Sequence, residues 1–352
     1  MRRTALFLLF FLFLATIALS FSIPVSAGPL KRALSFKQYT EKEGLSSDMV
    51  NAIAVYGEQV WFGTYAGGAT LYDRAKHLWK AFTTKGEPLA KADDGESIRW
   101  KNLLPYNHVS VITPDEDRLW FGTYFYGFGG GGISYYQPHR NPPWKTFNTN
   151  NSRAKKVVAM AVDGERLWVG SEKGLSLLDK KTGQWKIFYS TQQGLSGNFV
   201  NALLVQPDFL WAATNGGISR FHKNKKTWKT YSKKEGLSDT EIKALAMVGQ
   251  KIWAGGLDGT LFEYDAQSDH WKKIEPTDPL KSGGIFCIVA GKDRVYVCRD
   301  LGVSIYDLSS GTWDSLTNSD GLLSNSVFCV AEDKNNVWFG TDRGASQLIL
   351  TP

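Results

Sequence analysis

One five-residue phrase recurs seven times along this chain. It reads VWFGT at 60–64, LWFGT at 119–123, LWVGS at 167–171, LWAAT at 210–214, IWAGG at 252–256, VYVCR at 295–299 and VWFGT at 337–341. The central aromatic residues Trp61, Trp120, Trp168, Trp211, Trp253, Tyr296 and Trp338 are separated by 59, 48, 43, 42, 43 and 42 positions. A period of roughly 40–45 residues built from short strands is the spacing of β-propeller blades. The expected fold is therefore all-β: a seven-bladed β-propeller of four-stranded antiparallel blades. The repeat overrides the two or three domains that 352 residues would otherwise suggest.

Two further registers run in step with the first. Nine positions before each anchor stands Ala52, Val111, Ala159, Ala202, Ala244, Cys287 or Cys329. Small residues there fit the innermost strand of each blade, where the strands converge on the axis. After the anchors, Trp79, Trp144, Trp185, Trp228, Trp271 and Trp313 mark the outer strands, each followed three residues on by Phe82, Phe147, Phe188, Tyr231, Ile274 or Leu316. The seventh blade has no such strand before Pro352. Phe36 and Tyr39 carry the same aromatic spacing at the other end of the chain, so the N-terminal strand is expected to complete the last blade and close the ring.

The first 27 residues read as a secretory signal: Arg2 and Arg3, an uncharged apolar run over 5–21, then the small-x-small site Val25-Ser26-Ala27. The propeller is expected over 28–352, exported to the periplasm or the extracellular space. An uncleaved N-terminal anchor is the alternative, and the one membrane link the sequence offers. The net charge of +7 is too mild and dispersed to argue for nucleic acid.

A turn recurs between outer and inner strands: Gly44-Leu45-Ser46, Gly194-Leu195-Ser196, Gly236-Leu237-Ser238 and Gly321-Leu322-Leu323-Ser324. Together with the W-x-G-T phrase and the Tyr-Asp of Tyr72-Asp73, Tyr264-Asp265 and Tyr306-Asp307, it resembles the two-component regulator propeller repeat. The resemblance covers essentially all of the chain after the leader. It departs at Ala213, Tyr296 and Cys298. It implies a sensor-like propeller of the bacterial envelope, free-standing because no kinase or DNA-binding region follows.

Most residues that could carry chemistry are absorbed by the repeat. Asp73, Asp179, Asp265 and Asp307 share one blade position, where Asp caps a turn. The six lysines over 223–234 surround one outer hairpin, and lysine there serves to block edge pairing rather than to bind nucleic acid. Cys287, Cys298 and Cys329 fill packing positions; alternatively, a hairpin centred on Lys292-Asp293 puts Cys287 opposite Cys298, in position for a disulfide. No metal motif, phosphate loop or nucleophile–base spacing is present, so no metal, cofactor or catalytic residue is assigned.

Two insertions escape the repeat. About 16 extra residues lie within 83–108 on the way into blade 2, and a second excess surrounds the Gly run at 129–132 inside that blade. Up-and-down topology brings both loops to one face of the ring, beside the central channel. Arg99, Trp100, Tyr106, Asn107, His108, Tyr124, Phe125, Tyr126 and Phe128 are the candidate binding residues. Flat aromatic rings with polar groups beside them suit a glycan or other small molecule. Trp100 alone of the 13 tryptophans has no repeat position. The alternatives are an envelope partner protein on that face, a non-catalytic scaffold, or a lyase resembling the streptogramin lyases that would use His108 with Glu172 or Glu241.

Overall fold

The computed structural model describes residues 35–85, 103–124, 131–147, 155–280 and 282–350. Its strands form seven four-stranded antiparallel sheets, arranged as a ring of blades. Blade 1 is typical, running outward through Val50–Tyr56, Gln59–Thr64, Ala69–Asp73 and Leu78–Phe82. The last blade takes its outer strand from the other end of the chain. Ser35–Tyr39 pairs with Gly344–Ile349, in register from Ser35↔Ile349 to Tyr39↔Ala345. The innermost strands of blades 1 and 7 then lie side by side, as the other neighbours do, and the ring is closed.

The recurrent phrase is explained by two-sided burial. Successive side chains of a strand point to opposite faces. Trp61 joins the apolar cluster shared with blade 2, while Phe62 joins the one shared with blade 7. The same division holds all round: seven clusters fill the seven junctions, each built from two neighbouring blades. Glycine follows because the neighbour approaches closely there. A Cβ on Gly63 would stand 2.7 Å from a Val109 methyl of the next blade, and one on Gly170 would stand 2.7 Å from Val200. Ala213 and Cys298 hold the equivalent place fully buried, so the two departures from the repeat are accommodated by packing. The closing Thr is buried too, and its hydroxyl is used: Thr64 Oγ1 donates to the Gly68 carbonyl at 3.0 Å and Thr214 Oγ1 to that of Gly217 at 3.0 Å.

The Gly-Leu-Ser turn follows a short capped turn. At Ser190 the hydroxyl accepts from the Gln192 amide while the Gln193 side chain accepts from the Ser190 amide, a capping box. Gly194 ends it with φ 111°, and Leu195 drops into the junction core. The Ser196 hydroxyl reaches both Thr214 Oγ1 and Ser219 Oγ, at 2.9 Å each. These contacts, like that of Ser46 with Thr64, tie the entry loop to the phrase of its own blade.

The repeated aspartates cap turns as expected. Asp179 accepts from the Thr182 amide at 2.8 Å and Asp307 from the Ser309 amide at 3.0 Å. Cys287 lies directly opposite Cys298, the pairing expected from the hairpin, and all three cysteines are thiols. One lysine of the 223–234 run departs from edge protection. Lys223 is buried and reaches back to Asp163 of blade 3 at 2.7 Å. Lys180 does the same to Asp115 of blade 2, and Arg74 to Asp333 of blade 7. A basic residue at the end of the third strand thus clasps the preceding blade at three junctions.

Candidate functional site

Each innermost strand carries a β-bulge at the same place. The register shifts between Val50 and Ala52, Val109 and Val111, Val157 and Ala159, Val200 and Ala202, Ile242 and Ala244, Ile285 and Cys287, and Val327 and Cys329. A bulge leaves one residue without a ladder partner and re-aims its side chain. The extra residues are Asn51, Ser110, Val158, Asn201, Lys243, Phe286 and Phe328. The first six line a hollow of about 460 Å³ together with His108, Tyr124, Phe199 and Leu257. With one residue from each of six blades in its wall, this hollow is the mouth of the central channel.

Around the mouth, the residue after the phrase donates its amide, in four blades, to the carbonyl of the residue preceding the innermost strand. Tyr65 pairs so with Met49, Tyr124 with His108, Asn215 with Phe199 and Leu257 with Glu241, at 2.9–3.1 Å. These corners hold the rim side chains in place. At blades 1 and 2 the rim is aromatic. The His108 ring sits 4.7 Å from that of Tyr65 and 5.5 Å from that of Tyr124, centroid to centroid. Burial pushes the His108 pKa down to about 4, so its imidazole is neutral at physiological pH. Lys156 lies over the Tyr124 ring at 5.7 Å and pairs with Glu172 at 3.0 Å.

Beside the mouth opens a second hollow of about 560 Å³, walled by Tyr65, Ala66, Thr84, Pro105, Tyr106, Asn107, His108 and Tyr124. His108 and Tyr124 belong to both hollows. Asn107 shapes this cleft: its side-chain oxygen accepts from the Thr84 amide at 2.8 Å, and its carbonyl from the Gly68 amide at 2.8 Å. Leu103 and Leu104, just upstream, are buried in the blade 1–2 core and pin the segment that carries Tyr106 to His108.

Of the nine expected site residues, Tyr106, Asn107, His108 and Tyr124 come together in this cleft. Arg99, Trp100, Phe125, Tyr126 and Phe128 lie outside the described residues. Tyr65 is a wall residue that the insertions do not contain; it is 42% exposed. Its signal was its position after the phrase, the counterpart of Tyr124. The bulge ring was also missed, although each member stands ten places before its anchor. Glu172 and Glu241 face the same side of the ring but are paired with Lys156 and Lys243, and neither lines a hollow with His108.

The fold and this rim define a class, the seven-bladed β-propeller with a recessed channel mouth and an aromatic cleft on one face. The family described as two component regulator propeller matches this chain at residues 321–343, the Gly-Leu-Leu-Ser turn and phrase of the last blade. Histidine kinase P4 of Formosa agariphila is 27% identical over 212 residues, 47% of this chain and 15% of the kinase. The chain thus spans a small part of that protein's length. Among solved structures, the extracellular domain of BT3049 from B. thetaiotaomicron, described as part of a hybrid two component system, superposes with TM-score 0.72 at 18% identity. The match covers 91% of this chain and 42% of that one. Virginiamycin B lyase from Staphylococcus aureus gives TM-score 0.63 at 12% identity, over 91% of this chain and 99% of the lyase. At such identities these superpositions show the shared fold.

Proposed function

We propose that this propeller is an exported, sensor-like recognition module that binds a small, carbohydrate-like ligand in the aromatic cleft at blades 1 and 2. The observation that carries it is the convergence of Tyr65, the Tyr106–His108 segment and Tyr124, from three parts of the chain, on one hollow open to solvent. Sugar rings present flat C–H faces that pack on aromatic side chains, and the amide of Asn107 beside them can orient hydroxyl groups. The relation to extracellular domains of bacterial signalling proteins supports both the exported location and the sensing role.

A partner protein on the same face is the second reading. Exposed Tyr65, Leu257 and Leu301 favour it, since all three sit at second-to-third-strand corners around the mouth. A lyase has less support: among the described residues no carboxylate lines either hollow. The test is a thermal-shift screen of neutral oligosaccharides and envelope polymers on wild type and Tyr124→Ala. The proposal expects a ligand that raises the wild-type midpoint and loses its effect in the variant. A ligand stabilising both equally would place the site elsewhere.

A further inference from the structure

The two hollows differ in chemistry. Around the mouth, Phe286, Phe199, Leu257 and Val158 give an apolar arc, and Phe286 is edge-packed on Phe328 with centroids 5.5 Å apart. Asn201 and Lys243 stand within that arc, on blades 4 and 5, and Asn51 and Ser110 complete the wall from blades 1 and 2. Two of these are already committed. Ser110 Oγ lies against the Val157 and Gly122 carbonyls at 2.5 and 3.1 Å, and Asn201 Nδ2 donates to the Ile242 carbonyl at 2.8 Å.

The other two are available. Asn51 Nδ2 is buried and has no protein hydrogen-bond partner among the described residues. Lys243 Nζ pairs with Glu241 at 2.7 Å and lies over the Phe199 ring at 5.6 Å. That one contact leaves further N–H donors on the ammonium. Glu241 lies on the rim with its side chain 42% exposed, so water can solvate it if the ammonium turns inward. Lys243 is the one charged side chain in the described wall of the mouth. The rim carboxylate of Glu241 is the competitor that a ligand carboxylate displaces.

From this we propose that the mouth is a carboxylate subsite, so that the ligand is an acidic saccharide of the uronate type. Its ring lies on the Tyr65–His108–Tyr124 ledge, and its carboxylate reaches Lys243. Asn51 donates to a hydroxyl or ring oxygen. A single ammonium suits a monoanion; a phosphate dianion would call for a second cation, which the described wall lacks. The apolar arc lowers the local dielectric and strengthens the charge-assisted bond. This assignment rests on the saccharide reading of the cleft, so the experiment separates the two.

Calorimetric titrations would compare cellobiose with cellobiouronic acid, and benzoate with benzamide, on wild type, Lys243→Gln and Tyr124→Ala. The acid member of each pair is expected to bind wild type about 10- to 100-fold tighter, the worth of one charged hydrogen bond. Lys243→Gln should erase that preference and leave the neutral member within about threefold. Equal binding of acid and neutral partners, or a preference that survives Lys243→Gln, overturns the subsite. Disaccharide binding that needs Tyr124 but ignores the carboxylate would uphold the ledge alone. A benzoate preference without any disaccharide binding would uphold the subsite and refute the saccharide. Binding of none of the four probes would refute both.

Discussion

Ring closure by the N-terminal strand can be tested through Tyr39. Its ring lies 5.6 Å from Trp338 of its own blade, and 5.8 and 5.6 Å from Tyr72 and Trp79 of blade 1. Its hydroxyl donates to Gln347 Oε1 at 2.7 Å. Burial pushes its pKa up to about 12, so it stays protonated as the donor at neutral pH. Truncating a fully buried aromatic costs about 3–5 kcal/mol, and Tyr39 is only half-buried, so about 2–3 kcal/mol is expected for Tyr39→Ala. Tyr39→Phe removes the hydrogen bond alone, about 1 kcal/mol. With an unfolding entropy of about 2.1 cal/mol/K per residue, the folded ring loses roughly 1.5 °C of Tm per kcal/mol. Calorimetry should then show drops of about 3–5 °C and 1–2 °C for the two variants. Deleting residues 33–40 removes Phe36 as well and bares the edge of Gly344–Ile349, so it should drop the midpoint by at least about 7 °C and promote self-association. A truncated protein that melts within about 1 °C of the full chain and stays monomeric would refute closure by this strand.

Three other perturbations follow from the geometry. Asp115 accepts from the Trp120 indole at 2.8 Å and from Lys180 Nζ at 2.9 Å with both oxygens, and is nearly inaccessible. Asp115→Ala should therefore cost about 3–5 kcal/mol by urea unfolding, with part of the loss recovered when Lys180→Met is added. His108 has a folded pKa below its unfolded one, so the unfolded chain binds more protons between about pH 6.5 and 4. Stability should be full above that window and fall through it on acidification, by about 2–3 kcal/mol; the fall should shrink in His108→Asn, and an unchanged pH profile would argue against a buried neutral imidazole. Thiol titration of the denatured, unreduced chain should count three thiols, and a count of one would mean that Cys287 and Cys298 are bonded.

The blade count, the inward and outward registers and the closing strand were all legible in the linear chain. Most junctions repeat one packing solution: an aromatic anchor toward the next blade, an apolar residue toward the last, and a small residue, usually Gly, where a β-branched neighbour presses in. Physical demands met seven times leave a period that can be counted. Even the departures at Ala213 and Cys298 were visible, because they stand at a numbered position in an otherwise regular series.

The site was legible only in part. Tyr106, Asn107, His108 and Tyr124 were found because they fall in or beside insertions. Tyr65 belongs to no insertion, and Lys223 looked like edge protection until its reach to Asp163 was seen. Asn51 and Lys243 lie almost two hundred positions apart and look like ordinary strand residues. A side chain's local pattern says which way it points from its own strand. What stands opposite is decided by ring closure and by the bulge that turns one residue per blade into the channel. The repeat alone therefore determined that there is a ring; only the closed tertiary structure decided which residues meet across its mouth.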